Sequence, residues 1–378
     1  MTIGFDGIRT VDGGSEASYY DRLMIASLGM EFPRDTFMVY SPNSSNDRGM
    51  SWLLSIANVH NKTPYKAINK WLWRNHNGIY HDLHRHGVKV FHGLDAVLPT
   101  GKCKQNVKMV TTVRDLSGKR YVADLSTLEK MFRNSRIGKA CKKADRIIAT
   151  SQYIKQQIID RYHVPQDKID VVYTAFRNEY LTSNDDTVYQ QNVKGKYNLP
   201  SNFILAVTDF SSLTNLETLY RAFAKIDDKK IDLVLIGKKN NYYRRLKQLA
   251  SQLNIDDRVV RVSSINKHNF MGLYSLAKAV VDPSLQDGIG QCVVEALING
   301  TPIIASDDGC HRELGADAAL YFKPSQVEEL TAHINTVLGD TAKRETMIAN
   351  GKKHAAQFTQ QHLAQSIMSS YNKALGRE

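Results

Sequence analysis

Short apolar, β-branched runs alternate along the chain with longer stretches whose apolar residues recur every three to four positions. The first pattern reads as strands buried on both faces and the second as amphipathic helices; their alternation predicts parallel α/β sheets. In the first half the strand runs are Thr2–Phe5, Thr36–Tyr40, Val88–His92, Lys108–Val113, Arg146–Thr150 and Ile169–Val172, with helices near 15–29, 65–85, 126–143 and 151–162. The pattern lapses at 181–200, a polar stretch without periodicity that reads as an interdomain linker. It resumes at Phe203–Val207 and continues through Asp232–Ile236, Val259–Val262, Ala279–Val281 and Pro302–Ala305, before a helical segment over 325–376.

At 378 residues and 42% hydrophobic content the chain is too long for one core and suits two α/β domains of roughly 180 residues each. Four cysteines, Cys103, Cys141, Cys292 and Cys310, show no metal-ligand spacing and read as thiols of a reducing compartment. The N-terminus runs straight into a strand, and no apolar run approaches the ~18 residues of a spanning helix. A cytoplasmic protein is expected, with peripheral contact at the inner face of the membrane as an option that charge raises.

Charge is lopsided. Of the net +12, residues 1–183 supply +10, with 27 Lys and Arg against 17 Asp and Glu. A basic N-terminal half suits an anionic lipid surface or an anionic acceptor. Within 60–89, Lys62, Lys66, Lys70, Arg74, Arg85 and Lys89 accompany Trp71, Trp73 and five histidines. That mixture fits a membrane interface or, alternatively, a solvated helix that packs its tryptophans inward. No recognition motif accompanies the charge, so nucleic acid is not an expected partner.

The most informative stretch is PSLQDGIGQCVVEALINGTP at 283–302. Asp287 opens a turn containing Gly288, Ile289 and Gly290, an amphipathic helix begins at Gln291, and Glu295 follows eight residues after Asp287. A glycine-rich loop feeding a helix N-terminus can present backbone N–H groups to an anion, while a carboxylate nearby accepts sugar or ribose hydroxyls. Gly13 and Gly14, after the first strand, offer a second close approach to a phosphate. Asp307-Asp308-Gly309 reads as a turn.

This stretch resembles the donor-site signature of glycosyltransferase family 4, the retaining enzymes of GT-B fold, in its acid, Gly-x-Gly, second acid and Gly300-Thr301-Pro302. IGFDGIRTVDGGSEASYYDRL at the start, YHDLHRHGVKVFHGLDAVLP at 80–99 and ADRIIATSQYIKQQIIDRYHVPQDKIDVVYTAF at 144–176 extend the resemblance over nearly the whole chain. It implies two Rossmann-like domains facing a cleft: an acceptor-side domain over 1–182, a linker at 183–200, a nucleotide-sugar domain over 201–360, and a final helix at 361–378 crossing back to the first domain. It implies a nucleoside-diphosphate sugar as substrate, a saccharide or lipid-linked saccharide acceptor, no cofactor and no metal. Consistent with the last, no Asp-x-Asp occurs. The mechanism implied is front-face displacement, in which the donor phosphate helps remove the acceptor proton.

By the same resemblance Asp287 would contact the transferred sugar and Glu295 the ribose, while the N–H groups of Gly288, Ile289, Gly290 and Gln291 would line the donor. Gly13, Gly14 and Arg114 would face its phosphates. Several positions depart from the family, among them Gln291 and Cys292, where an apolar residue and a proline are more usual. Arg114 replaces the usual histidine before Asp115, and arginine cannot serve as a general base. Asp209 and Thr214 stand where an arginine and a lysine usually neutralise the departing diphosphate, and one such donor contributes about 3–4 kcal/mol to a transition state. Lys238 and Lys239 are candidate substitutes. Two readings follow: a glycosyltransferase with a rearranged phosphate site, or a non-catalytic GT-B partner of an active enzyme.

Overall fold

The computed structural model describes the chain except residues 13–15, 45–46, 65–72, 74–76, 102–105, 117–126, 177–186, 264, 266 and 378. It forms two units. The first combines Met1–Leu116 with Ser126–Phe176 and Phe358–Glu378, and the second is built on Arg177–Gln357.

Seven parallel strands make the sheet of the first unit: β1 (Thr2–Asp6), β2 (Thr36–Tyr40), β3 (Val59–Lys62), β4 (Val90–Gly93), β5 (Lys108–Val113), β6 (Arg146–Ala149) and β7 (Ile169–Val171). Their order is β3-β2-β1-β4-β5-β6-β7. The second unit repeats the plan with β8 (Phe203–Val207), β9 (Asp232–Ile236), β10 (Val259–Val262), β11 (Ala279–Asp282), β12 (Ile303–Ser306) and β13 (Ala319–Phe322), in the order β10-β9-β8-β11-β12-β13. Each sheet reverses its winding once, between β1 and β4 and between β8 and β11, the topological switch point where doubly wound folds hold ligands. Nearly continuous apolar runs such as FILAV and AVVD arise because helices cover both faces of such sheets.

Two strands escape the sequence pattern. Both lie at sheet edges: β3 (VHNK) is mostly polar and buries only Val59, and β13 (ALYF), though apolar, is four residues long and buries only its two ends. The stretch read as a linker contains a helix, Thr187–Lys196, that packs on Lys267–Leu276 through buried Val193. One buried residue in ten leaves too little periodicity to see. Of the tryptophans read toward a membrane, Trp71 lies outside the described residues. Trp73 is buried and donates its indole N–H to Asp82 at 2.7 Å, which corrects the interfacial reading for that residue.

The final helix, Gln360–Leu375, belongs to the first unit, where Leu363, Ile367, Met368 and Tyr371 share a core with Ile3, Phe5, Met24 and Leu28. The Tyr371 hydroxyl meets His92 Nδ1 at 2.7 Å, and Thr112 Oγ1 meets His92 Nε2 at 2.7 Å. Burial, reinforced by nearby Arg114, lowers the His92 pKa to about 3 and keeps the ring neutral. Removing the phenol leaves a buried ring nitrogen without that partner, at a cost of about 1–3 kcal/mol. Tyr371→Phe is therefore expected to lower the unfolding free energy of the first unit by that amount, read as a lower urea midpoint with the slope unchanged; an unchanged midpoint would contradict the assignment.

Candidate functional site

Parallel pairing sends the loops after β8, β9, β11 and β12 to one edge of the second sheet. Hydrogen bonds tie them together there. Leu285 N donates to Leu213 O at 2.7 Å, linking the loops on either side of the switch point. Asn240 Nδ2 donates to Phe210 O at 3.0 Å, and Cys310 N to Asp287 O at 2.8 Å. Gly309 makes the last approach possible: its φ is +66°, and a Cβ there would sit 2.3 Å from Asp287 O.

Asp287 is buried. Its Oδ1 accepts from Ile289 N at 2.8 Å and Gly290 N at 3.0 Å, folding the turn back on its own carboxylate. These two N–H groups, expected from sequence to face a donor, are directed inward because a buried carboxylate needs donors. Gly290, at φ +60°, then starts the helix Gln291–Ile298, whose first i to i−4 bond runs from Val294 N to Gly290 O at 3.1 Å. The N–H groups of Gln291, Cys292 and Val293 thus form the positive helix terminus.

Glu295, one turn along, is also buried, so it is not a solvated helix residue. Tyr274 donates its hydroxyl to Oε2, and Gln291 Nε2 donates to Oε1 at 2.9 Å. Burial, together with Cys292 and Glu295, pushes the Tyr274 phenol well above its ordinary pKa, so it remains a donor.

Two residues that motif reading missed complete this site. Asp282 ends β11, and His311 follows the turn after β12; both are buried. His311 Nε2 lies 3.4 Å from Asp282 Oδ2 and 3.5 Å from Asp287 Oδ2. Among the described residues, these three form the group whose ligand atoms all lie within 4.8 Å of one another. Burial alone would discharge the imidazole, but the two carboxylates outweigh it and raise its pKa to about 10. Burial would likewise raise the Asp282 carboxyl, yet the imidazolium holds it below its ordinary value. The available signal in the sequence was an aspartate closing an apolar strand, five residues before the motif acid.

The remaining sequence candidates are scattered. Gly13 and Gly14 lie outside the described residues. Arg114 belongs to the first unit, where it donates to Asp21 at 3.0 Å, approaches Asp95 at 3.9 Å and lies over the Tyr20 ring at 5.1 Å. Burial raises the Asp21 pKa to about 6 despite that cation. The Arg114 charge therefore serves an internal ion network in the first unit. Asp115 is buried beneath Arg133, 3.4 Å from its guanidinium. Asp209 is exposed and caps Ser211 N at 2.8 Å, while Thr214 is buried and donates to Ser211 O at 2.7 Å. Lys238 and Lys239 are exposed on the β9 loop pinned beside Asp209 and Phe210 by Asn240.

Two Rossmann-like units with an acidic, glycine-containing loop at a switch point define a class, and comparison with known proteins specifies it. Residues 31–179 match the model described as Glycosyltransferase Family 4, and residues 190–354 match Glycosyl transferases group 1. The chain belongs to glycosyltransferase family 4, of GT-B fold. It is 24% identical over 212 residues to the O-antigen chain mannosyltransferase RfbU of Salmonella typhimurium, covering 56% of each protein. It is also 24% identical over 267 residues to the serotype-specific mannosyltransferase WbdA of Escherichia coli, covering 69% of this chain and 32% of that protein. The chain thus spans about half of one of these relatives and a third of the other. Among solved structures, Anabaena HepE in complex with UDP-glucose superposes with a TM-score of 0.74 at 17% identity, over 99% of this chain and 100% of that one.

The raised His311 pKa fixes a stability signature. The stabilisation it brings is fully present below its ordinary 6.5 and lost as pH rises toward about 10. In urea unfolding, the gap between wild type and His311→Gln is expected to be widest near about pH 6 and to narrow steadily on alkalinisation. A gap independent of pH would show that His311 is neutral in the folded protein.

Proposed function

We propose that this chain is a retaining glycosyltransferase that moves a sugar from a nucleoside-diphosphate sugar to a saccharide or lipid-linked saccharide acceptor in envelope glycan assembly. The observation that carries the reading is the second sheet's switch point, where the Asp287–Gly290 turn delivers the helix Gln291–Ile298 with Glu295 oriented by Tyr274 and Gln291. The helix terminus would meet the diphosphate, and Glu295 would accept the ribose hydroxyls. Lys238 and Lys239 would supply cations that Asp209 and Thr214 do not. As the C1–O bond to phosphate breaks, the acceptor oxygen bonds C1 on the same face and its proton passes to the departing phosphate. The donor would need no metal. Support comes from the family membership, from relatives named as mannosyltransferases, and from a neighbour of the same fold solved with UDP-glucose.

The anionic Asp209 and neutral Thr214 favour a second reading, a non-catalytic GT-B protein that partners an active transferase. Membrane contact through the basic N-terminal half is compatible with either, and no helix among the described residues is long and apolar enough to cross a membrane.

Thermal-shift titration with UDP, GDP, ADP, CMP, dTDP and their sugar conjugates separates the two. A nucleotide at a hundred times its Kd should add about 2.7 kcal/mol of stability. One nucleotide family is expected to respond. Glu295→Ala is expected to weaken that response by about tenfold or more in affinity, and Lys238→Ala together with Lys239→Ala to weaken diphosphates more than nucleosides. Silence of a folded protein across the panel would favour the non-catalytic partner.

A further inference from the structure

We infer that His311 is a positioning residue: clamped between Asp282 and Asp287, it holds the 283–290 loop in the shape the donor site requires. The inference rests on the donor reading above and identifies what maintains that site. His311 is wholly buried and its Nδ1 lies 3.0 Å from the carbonyl oxygen of Ser306, so Nδ1 carries a proton and donates there. Nε2 therefore faces both carboxylates, at 3.4 and 3.5 Å.

Each carboxylate spends its second oxygen on the loop. Asp282 Oδ1 accepts from Ser284 N at 3.1 Å, at the loop's entry. Asp287 Oδ1 accepts from Ile289 N and Gly290 N, at its exit. One ring thus grips both ends. The neighbouring backbone reinforces it, since Ser306 Oγ donates to Ser284 O and Cys310 N to Asp287 O.

Two buried carboxylates this close cannot both stay ionised without a compensating charge. The other titratable groups coupled to them, Cys292 and Glu295 on Gln291–Ile298 and Tyr274 on Lys267–Leu276, are neutral or anionic. Among the described residues, the imidazolium is the positive charge that lies against both carboxylates. Without it one aspartate would take up a proton or turn away, and Asp287 would loosen the turn that starts the helix. Arg312 next door does not substitute, because it is paired on the surface with Asp307.

The test uses the full-length protein. Long-range proton–nitrogen NMR, with the His311 signal assigned by its loss in His311→Gln, should show an imidazolium at about pH 8. A neutral ring there would overturn the inference. Hydrogen exchange should be about tenfold faster at the amides of Ile289 and Gly290 in His311→Gln, with the amides of β8 and β9 unchanged. Binding of UDP and GDP should weaken by about tenfold at a temperature well below melting. Uniform acceleration throughout the second unit would show a merely structural role. Should His311→Gln not fold, Asp282→Asn carries the same exchange and binding test with the cation retained. A stoichiometric divalent ion in the purified protein, lost in Asp282→Asn, would also overturn it. If wild type binds no nucleotide of the panel above, the donor reading fails while the ring charge and loop exchange still decide the clamp.

Discussion

Parallel pairing is the constraint on which the rest depends. The strands of both sheets run the same way, so the central ones are covered by helices on both faces and are largely apolar. Polar chemistry is thereby confined to the loops at the carboxyl edge. In the second unit four such loops are cross-tied by backbone and side-chain bonds into one rim. The motif acids belong to that rim, and they are buried because neighbouring loops close over them.

Burying charge at a sheet edge poses the same physical problem in both units, and each solves it with an internal cation. In the first, Arg114 serves Asp21 and Asp95 while resting on Tyr20. In the second, His311 serves Asp282 and Asp287. The solutions differ in consequence. Arginine keeps its charge at any working pH, whereas an imidazolium depends on its carboxylates for it. The second rim is therefore the one whose shape is linked to protonation.

That distinction bears on the missing basic pair. Under the proposed function, a site that lacks the arginine and lysine expected after β8 would hold a diphosphate by other means. The remaining resources are a helix terminus set by an Asp-anchored turn and two exposed lysines one strand away. Fixed dipoles help only when they are fixed, because reorganisation cost is what preorganisation removes. Under that reading a rigid 283–290 loop would carry more of the phosphate's stabilisation than it would beside two added cations.

Much of the architecture was legible in the sequence. Runs such as FILAV, DLVLI and KMVTTV marked their strands because a strand buried on both faces is largely apolar or β-branched, and this is a local property. β3 and the helix Thr187–Lys196 were not legible because their residues are mostly polar, and β13 because it is a four-residue strand at a sheet edge. At the site, the sequence by itself determined the turn: Asp287, Gly288, Gly290 and Glu295 are spaced by the geometry of one loop and one helix. What those groups face was decided only by tertiary structure. Asp282 and His311 stand 29 positions apart in the chain and meet only because β11 and β12 are neighbours. Likewise, Arg114 turns to Asp21 because the β5 loop lies over the helix Glu16–Glu31. Spacing fixes local shape, but the direction of a carboxylate is set by whichever distant donor shares its burial.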